Sequence, residues 1–472
     1  MTETYTSRGA SLTGRALRSL RARFAGEIIT PEDDAYGDAR RVWNGMIDRY
    51  PAVIARCTNA RDVALAIGFA REHVAPLAVR GGGHNAAGFG VCDGGVVIDL
   101  SPIRSVHVDP IGRRAQAGGG ATWADVDGIT QRHGLAVTGG LVTHTGIGGL
   151  TLGGGIGHLM RRCGLTCDNL MRAELVRADG AMLNVSPQEN ADLLWGLRGG
   201  GGNFGVVTQF EYQLHEIGPT VLAGALMYPM AAGAEVLRFY RDWAPQLPEE
   251  MTTAVALRTA PAAPFIPADL QGQSIIAVVV CWSGAVDTGQ AVLEPLRRFK
   301  RPLVDLVAPK PYLEHQHMFD ATAPHGRQNY KRNANLAALP DGVVDVLMEY
   351  SGRRTSPHSL IMVFQLGGAI SRVSEDATAY SDRGALFNVD LNAQWLDPAD
   401  TRTDEHIRWV RDFHAALQPF ATGRAYVNFL MGDEGQDRVR TTYGAAKYER
   451  LVALKRRYDP ANVFRLNQNI VP

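Results

Sequence analysis

Apolar residues follow two spacings along the chain, one typical of helices and one typical of strands. Between residues 60 and 73 they recur every three or four positions, at Val63, Ala66, Ile67 and Ala70, which predicts an amphipathic helix. Short apolar runs bounded by glycine or charged residues predict strands near 53–55, 76–79, 95–100, 105–109 and 114–117. The first part of the chain is therefore predicted to alternate strands with helices.

Beyond Leu214 glycine becomes rarer and the segments become longer. Amphipathic helices are predicted at 231–243, 289–299 and 343–350, and apolar strands at 275–282 and 360–366. Strands and helices in this alternation predict a second layered unit, an antiparallel sheet covered by helices. The expected fold class is therefore α+β, with α/β layers.

One predicted strand, 387–395, carries polar side chains at every second position. Because successive side chains of a strand point to opposite faces, one face presents Asn388, Asp390, Asn392 and Gln394. Two interpretations are open: an outer sheet face in contact with water, or a polar face turned toward a substrate, which needs hydrogen-bonding groups above an apolar floor. Gln365, at the end of a neighbouring predicted strand, is a second candidate for such contacts.

Glycine changes this picture, because many of the 52 glycines cluster at 81–95, 118–120, 139–157 and 199–205. The strand ending at Val79 is followed by Arg80 and three glycines, a backbone that can adopt positive φ and bring its N–H groups to an anion. Further glycines exclude the helix that a dinucleotide fingerprint requires, so we expect an extended phosphate-binding loop between two strands. His84 in this loop is either a nucleophile or an ordinary loop histidine bonded to a carbonyl.

Charge, cysteine content and hydropathy argue against several classes of protein. The 48 basic and 48 acidic residues leave no excess charge to attract nucleic acid or an anionic membrane. The longest apolar run, 275–282, is far too short to cross a bilayer. Residues 1–28 have no apolar signal-peptide core, and the five cysteines are odd in number and scattered, so we predict a cytoplasmic protein. A monomer or a homodimer is expected. His315 and His317 share a predicted strand face without a third ligand nearby, and no metal site is expected.

The segment from Arg80 to Leu100 contains Arg-Gly-Gly-Gly-His-Asn, then Asp-Gly-Gly, then Val-Ile-Asp-Leu. It resembles the flavin-attachment segment of the berberine bridge enzyme-like oxidoreductases, which belong to the superfamily of vanillyl-alcohol oxidase and p-cresol methylhydroxylase (PCMH). Residues 139–157, 192–207 and 426–470 resemble further segments of the same family. The resemblance implies a PCMH-type FAD-binding domain at 1–216, with its core at about 46–216, a substrate-binding domain at 217–424, and a C-terminal segment at 425–472 that returns to the first domain.

The same resemblance implies that His84 is bonded to the 8α-methyl group of FAD. Members with two covalent bonds carry a cysteine where this chain has Val142, so the resemblance implies one bond, through His84 alone. The residues implied to hold the cofactor are Arg80, Gly81, Gly82, Gly83, His84, Asn85, Gly88, Gly140, Val142, Thr145, Gly146, Gly148, Gly149, Gly154, Gly155, Gly157, His158, Asn169, Gly202, Asn203, Gly205, Val207, Asn467 and Asn469.

The activity implied by the resemblance is removal of hydride from an alcohol, an amine or a cyclising carbon of a small molecule, with transfer of two electrons to O2 to form H2O2. The candidate bases are Tyr426, Tyr443, Asp390 and His144, and the candidate orienting groups are Asn428 and Gln365. Thr145 occupies the position at which the family tunes access of O2, and its small side chain favours an oxidase. A dehydrogenase of the same fold with another electron acceptor, and a non-catalytic binding module, are the alternatives.

Overall fold

The structure is a computed structural model that describes residues 14–472; the first thirteen residues, which the predicted FAD-binding domain includes, lie outside the described part. Up to residue 216 the α-helices are α1 (Gly14–Arg21), α2 (Tyr36–Ala39), α3 (Ala60–Glu72), α4 (Trp123–Thr130), α5 (Ile147–Leu152), α6 (Met160–Cys163) and α7 (Ala191–Leu197). The strands are β1 (Glu27–Ile29), β2 (Val53–Arg56), β3 (Leu77–Arg80), β4 (Val96–Asp99), β5 (Val106–Asp109), β6 (Arg114–Gly118), β7 (Leu135–Ala136), β8 (Leu170–Val176), β9 (Met182–Val185), β10 (Val206–Gln213) and β11 (His215–Glu216).

Two sheets organise this first part. In one, β2, β4 and β3 run parallel in that order and β1 pairs antiparallel with β2. In the other, five antiparallel strands are ordered β5–β6–β10–β8–β9. The predicted helix at 60–73 is α3, and Asn59 caps it by accepting a hydrogen bond from the backbone N–H of Asp62. The glycine loop 81–95 connects β3 to β4, as predicted, with no helix between them.

From residue 217 the chain builds a larger sheet and its covering helices. The α-helices are α8 (Gly233–Trp243), α9 (Val286–Phe299), α10 (Tyr312–Gln316), α11 (Asp341–Gly352), α12 (Ala369–Arg372), α13 (Thr403–Leu417), α14 (Gly435–Tyr443) and α15 (Ala445–Tyr458). The strands are β12 (Thr220–Pro229), β13 (Met251–Thr259), β14 (Ser274–Trp282), β15 (Val304–Asp305), β16 (Ala308–Pro311), β17 (Gln328–Leu336), β18 (Leu360–Gln365) and β19 (Phe387–Trp395).

The eight strands β12–β19 form one antiparallel sheet, ordered β15–β12–β14–β13–β18–β19–β17, with β16 also paired to β12. One face packs against α8, α11 and α13 in a core that contains Val255, Val363 and Leu391. The opposite face carries Ala254, Phe364 and other apolar residues that pack against residues 156–167 of the first part. The expected helix-covered antiparallel sheet is thus present, and its other face meets the first part of the chain.

The C-terminal helices return to the first part. Leu451 and Leu454 of α15 share a core with Leu197 of α7 and with Phe204. The fully buried Lys455 forms a 2.7 Å ion pair with Asp459 and donates hydrogen bonds to the carbonyls of residues 203 and 464. Burial of an ammonium group without partners would be costly. The three interactions of Lys455 therefore favour this one arrangement of the C-terminal helix. The last residues are thereby held beside the glycine-rich segment at 199–205.

Two expectations about polar residues are corrected by the fold. Strand β19 has the predicted bounds, but Asn388, Asp390, Asn392 and Gln394 are all buried, so the interpretation as a water-facing surface is wrong. His315 lies in helix α10 rather than in a strand, and His317 lies in the short helical turn that follows it. In the described range, none of the helices combines the length and the apolar character that spanning a bilayer requires.

Candidate active site

A cavity lies between the glycine-rich segments of the first part and the face of the eight-stranded sheet that helices α8, α11 and α13 do not cover. Its first wall is formed by residues 80–86, 140–142, 145–146, 148–150, 201–202 and 205–207, many of which are glycines. Its second wall consists of side chains from β17, β18 and β19, and residues 464–468 line it as well. We call these two surfaces the backbone wall and the sheet wall.

The glycine loop of the backbone wall has free hydrogen-bond donors. Within the described chain, the five consecutive N–H groups of residues 81–85 donate to no protein acceptor, and all five residues line the cavity. Gly83 has a φ of 70°, in the left-handed region that favours glycine. Consecutive unpaired N–H groups around such a residue form a concave site for an anion. The predicted phosphate cradle therefore has the donors that it needs.

His84 belongs to the same loop, and its contacts define how the ring is oriented. Its Nε2 lies 2.6 Å from Nδ1 of His144, and its Nδ1 lies 3.4 Å from Oγ1 of Thr145. The ring stacks on Trp43 with ring centroids 5.1 Å apart. Burial, followed by the proximity of His144 and His325, lowers the pKa of His84 well below its ordinary value, so the imidazole is neutral near pH 7. A neutral imidazole retains a ring nitrogen that can act as a nucleophile.

The same histidine also belongs to a donor set for a metal ion. One nitrogen from each of His84, His144 and His325 lies within 4.8 Å of the other two. Neutral imidazoles are common ligands of Zn²⁺ and related divalent ions. The sequence pattern did not indicate this cluster, because its three members come from loops that are far apart along the chain. Binding of a metal ion is therefore an alternative role for His84, to which the resemblance assigns a covalent bond with FAD.

The sheet wall places a buried ion pair beside the cavity. Lys331 Nζ lies 2.9 Å from a carboxylate oxygen of Asp390 and 3.8 Å from the ring centroid of Phe429. Burial raises the pKa of Asp390 above its ordinary value, and Lys331 opposes that rise. Oδ1 of Asp390 and Oδ1 of Asn392 have no hydrogen-bond partner within the described chain. Because buried polar atoms are usually paired, these two oxygens are available to a bound molecule.

Tyr426 lies between the two walls, and Asn428 fixes its hydroxyl. The Tyr426 oxygen accepts hydrogen bonds from Gly155 N, at 2.9 Å, and from Asn428 Nδ2, at 2.8 Å. Burial raises the pKa of Tyr426 to about 12 although both bonds oppose the rise. The phenol therefore keeps its proton near neutral pH and is a hydrogen-bond donor, whereas a base would have to be ionised. Asn428 thus orients the Tyr426 hydroxyl, and its role in orienting a substrate stays a prediction.

Three of the predicted catalytic residues do not line the cavity. Tyr443 is buried in the core of the first part, where its hydroxyl donates to the Gly199 carbonyl at 3.1 Å. Gln365 points to the helix-covered face of the sheet, where it accepts a hydrogen bond from Thr253 and donates one to the carbonyl of residue 244. Both predictions are corrected, because neither side chain can reach a substrate in the cavity. His144 lies behind His84, so its contact is with that imidazole and not with the cavity.

Most of the predicted cofactor residues line the cavity. Those that do are Arg80, Gly81, Gly82, Gly83, His84, Asn85, Gly140, Val142, Thr145, Gly146, Gly148, Gly149, Gly202, Gly205, Val207 and Asn467. Those that do not are Gly88, Gly154, Gly155, Gly157, His158, Asn169, Asn203 and Asn469. This second group lies outside the cavity lining, and contact of its members with the cofactor stays a prediction.

Hydrogen bonds show how several of these residues support the wall. Asn203 accepts a hydrogen bond from the N–H of Ile470 and so ties the C-terminal segment to the 199–205 glycines. Asn169 donates to the carbonyls of residues 163 and 165. His158 lies 3.2 Å from Nε2 of His315, and burial lowers the pKa of His158 to about 3, so this pair is neutral and structural. These contacts place the glycine segments without touching the cavity.

The sequence pattern missed cavity residues in β17 and in two short helical turns, as well as the aromatic residue that stacks on His84. Lys331, Phe319 and Phe429 line the cavity, and Trp43 covers His84. Polar and apolar residues alternate in 328–336 much as they do in β19, and this pattern could have indicated that Lys331 belongs to the same polar face. Trp43 had no comparable signal, since its contact depends on a loop that packs against a distant segment.

Comparison with known proteins agrees with this geometry. A model of the FAD binding domain matches residues 51–186, and a model described as berberine and berberine like matches residues 425–471. An FAD-linked oxidoreductase of Dictyostelium discoideum is 30% identical over 435 residues, which cover 91% of each chain. (R)-6-hydroxynicotine oxidase of Paenarthrobacter nicotinovorans is 29% identical over 469 residues, covering 95% of this chain and 97% of that protein. The crystal structure of 6-hydroxy-D-nicotine oxidase from Arthrobacter nicotinovorans has a TM-score of 0.86 and 29% identity, over 95% of this chain and 98% of that one.

Fold, cavity and comparisons together define an FAD-dependent oxidoreductase with a PCMH-type fold. More narrowly, the chain belongs to the berberine bridge enzyme-like family of FAD-linked oxidoreductases. The predicted family and fold class are confirmed. The residues of the backbone wall fit this cofactor, because the free N–H groups of residues 81–85 suit a pyrophosphate and the glycines leave room for a flat ring.

Proposed function

We propose that the protein is an FAD-dependent oxidase that removes hydride from a C–H bond of a small organic molecule and reduces O2 to H2O2. The observation that carries the proposal is the two-walled cavity, in which His84 and the free N–H groups lie opposite the polar side chains of the sheet wall. When bound, FAD supplies the two-electron chemistry, and the protein supplies orientation and proton transfer. The predicted division of the chain is part of this proposal: residues 1–216 and 425–472 hold FAD, and residues 217–424 cover its reactive face.

We further propose that FAD is bonded covalently to the protein through His84 only. Val142 lines the cavity at the position of the second attachment residue, and a valine has no nucleophilic atom. The five cysteines are all buried, and none of them lines the cavity. Burial raises the pKa of Cys163 and of Cys281 to about 12, so these thiols remain protonated and unreactive. No other residue of the cavity supplies a thiolate for a second bond.

Asp390 is the group that we propose as the catalytic base. A carboxylate with a raised pKa can hold the proton of a substrate hydroxyl or amine during the reaction, and its free Oδ1 is available for that contact. Lys331 balances the charge of the ionised carboxylate at 2.9 Å. Tyr426 and Asn392 are placed to orient the substrate by hydrogen bonds. The apolar floor formed by Met362, Phe364 and Phe429 suits a compact ring or alkyl body.

A screen of small substrates tests the proposed activity. Alcohols, amines and 6-hydroxynicotine, which the name of one relative suggests, are added without O2, and bleaching of the flavin absorbance is recorded. The proposal predicts bleaching by at least one compound, and one H2O2 for each product molecule when air is admitted. Bleaching that reverses only over many minutes in air would assign the protein to the dehydrogenases instead.

A further inference from the structure

Three arginines and a histidine lie together at one end of the sheet wall. Arg258 is the last residue but one of β13, Arg327 directly precedes β17, and Arg354 and His358 lie between α11 and β18. The pairing of the strands brings these strand ends to the same end of the sheet. All four side chains are half-buried, so they remain accessible to a ligand. We call this group the arginine cluster.

Hydrogen bonds join the cluster to residues that line the cavity. Arg327 donates to Oε1 of Gln394 at 3.0 Å and to the carbonyl of Thr322 at 3.2 Å. Both of these acceptor residues line the cavity, although Arg327 itself does not. The guanidinium of Arg327 therefore lies directly behind the cavity lining, at the end where β17 begins.

Arg258 approaches the same end of the cavity from β13. The register pairs Leu257 with Ile361, so the next residue, Arg258, lies beside Leu360, which lines the cavity. Alternate residues of a strand share a face, and Ala256 belongs to the face that meets the first part of the chain. The side chain of Arg258 is therefore on the face of the sheet that forms the sheet wall.

No carboxylate of the described chain balances the charge of the three arginines. Arg258 donates only to the carbonyl of Thr259, and Arg354 donates to the hydroxyl of Ser274 at 2.8 Å. Nε of Arg327 and Nη1 of Arg354 are buried without a hydrogen-bond partner in that part of the chain. Burial, followed by the charges of Arg327 and Arg354, lowers the pKa of Arg258. Because buried charges and buried donors are normally paired, the cluster has the features of a site that lacks its anion.

We propose that the arginine cluster binds an anionic oxygen group of the substrate, a carboxylate or a phosphate, while the C–H bond to be oxidised lies near Asp390. This inference rests on the proposed function and narrows its substrates to organic anions. A guanidinium group suits such a group because it presents parallel N–H donors in a planar fork. Burial and the charges of Arg327 and Arg258 lower the pKa of His358, so near pH 7 its ring is neutral and can add an uncharged N–H donor.

The sheet sets the length of such a substrate. In the strand order, β18 separates β13 from β19, and Met362 of β18 is paired with Asp390. Arg258 lies two strands from Asp390 and two residues further along the sheet, which places their backbones about 12 Å apart. The arginine side chain spans part of that distance, so the anionic group and the oxidised carbon should be roughly 10 Å apart. Met362 lies between the two ends and provides an apolar contact for the body of the substrate.

Binding of phenylalkanoic acids to the flavin-loaded enzyme tests the inference. Acids with two to eight methylene groups are titrated by calorimetry, together with the neutral amides and the phenylalkyl phosphates of the same lengths. We expect one of the two anions to bind at least about tenfold more tightly than the amide, and its preference over the other identifies the anionic group. The best chain should have about six methylene groups, which span the distance given by the sheet. A shift of the flavin absorbance on binding shows that the phenyl ring lies at the flavin.

Removal of one charge from the cluster should weaken binding of the anion but not of the amide. For Arg258→Gln and for Arg354→Gln we expect about tenfold or more weaker binding of the best anion. Arg353→Gln is the matched control, because this neighbouring arginine is exposed and paired with Glu349 at 2.7 Å, and the affinity should change less than about twofold. Flavin content and thermal unfolding show that each variant is folded, and Arg327→Gln replaces one that is not.

Two results would overturn the inference. One is anions that bind no more tightly than the amides at every chain length, and the other is the same affinity for the anion in the cluster variants as in Arg353→Gln. A purified protein without flavin, or a substrate screen without bleaching, would instead overturn the proposed function. Because calorimetry measures the anion whether or not turnover occurs, the two failures are distinguishable.

Discussion

The two walls of the cavity are built in different ways. The backbone wall is made of short stretches of the chain, and at the consecutive residues 81–85 it presents free main-chain N–H groups. The sheet wall is made of side chains from β17 and β19, which are aligned only by the register that pairs Asn333 with Asp390 and Lys331 with Asn392. Replacing a glycine of the backbone wall adds a side chain where the main chain packs closely. In the sheet wall, a substitution can change single atoms of a side chain and leave the main chain in place. We therefore expect changes in the first wall to affect cofactor binding and folding, and changes in the second to affect turnover.

The largest effect is expected for Gly82→Ala. A Cβ at this position would overlap the backbone of Gly146, which belongs to the second glycine segment of the wall and cannot move away as a flexible side chain would. We expect a cost of about 3 kcal/mol or more in the free energy of unfolding and loss of most of the bound flavin. Flavin content and thermal unfolding measure both. Gly68→Ala is the control, because nothing lies within 4 Å of its added Cβ in helix α3; equal flavin content in the two variants would contradict the close approach.

On the sheet wall, Asp390→Asn should abolish proton transfer without releasing FAD. We expect kcat to fall about 100-fold or more while flavin content stays normal. Because the raised pKa belongs to a base that must be ionised, kcat/KM of the unaltered enzyme should rise with pH through that pKa, and the variant should lose this rise. Tyr443→Phe is the control, since among the residues that the structure describes that hydroxyl is bonded to the Gly199 carbonyl alone, and its loss should leave kcat unchanged. A kcat within a few-fold of normal in Asp390→Asn would contradict the assignment of Asp390 as the base.

Behind the backbone wall, Asp127 should make stability depend on pH. It accepts a 2.9 Å hydrogen bond from Gln316, which also donates to the carbonyl of Gly140. Burial raises the pKa of Asp127 from 3.8 to about 7. Because the folded pKa is the higher one, its contribution is complete below the unfolded pKa and is lost as pH rises toward the folded pKa, by up to about 1.4 kcal/mol per pH unit. Urea unfolding at several pH values should show this loss in the unaltered chain and not in Asp127→Asn; identical pH profiles would contradict it.

A smaller effect is expected at Thr145, where the two walls approach the flavin position. Its hydroxyl contacts Nδ1 of His84 at 3.4 Å. Thr145→Leu should fill the adjacent space and slow reoxidation of the photoreduced enzyme severalfold, with FAD still bound. Thr145→Val, which has nearly the same volume, is the control and should reoxidise at the normal rate. Stopped-flow mixing with oxygenated buffer measures both, and equal rates in the two variants would remove Thr145 from the control of O2 access.

The two walls also differ in how far they could be predicted from the sequence. The backbone wall was largely predictable, because its donors are consecutive and their spacing survives in the chain, as in the loop that contains His84. The bounds of β19 and the existence of its polar face were predictable for a similar reason, since alternation with period two is local.

The other parts depended on packing between distant segments. Gln365 was assigned to the wrong face, because nothing in its strand indicates which side the helices cover. Tyr443 was taken for a site residue because it lies in the C-terminal segment, but that segment contributes both to the cavity and to the core. The pairing of His84 with His144, 60 residues away, is set by the contact between two glycine segments and has no local signal.

His84 alone is proposed to carry FAD through a covalent bond. Acid precipitation of the purified protein, followed by mass spectrometry of the intact chain and of its peptides, tests this claim most directly. We expect that the yellow colour stays with the precipitate, that the mass increases by one flavin, that only the peptide containing His84 is modified, and that His84→Ala releases the colour. Colour lost from the unaltered protein on precipitation, or a modified peptide that lacks His84, would contradict it.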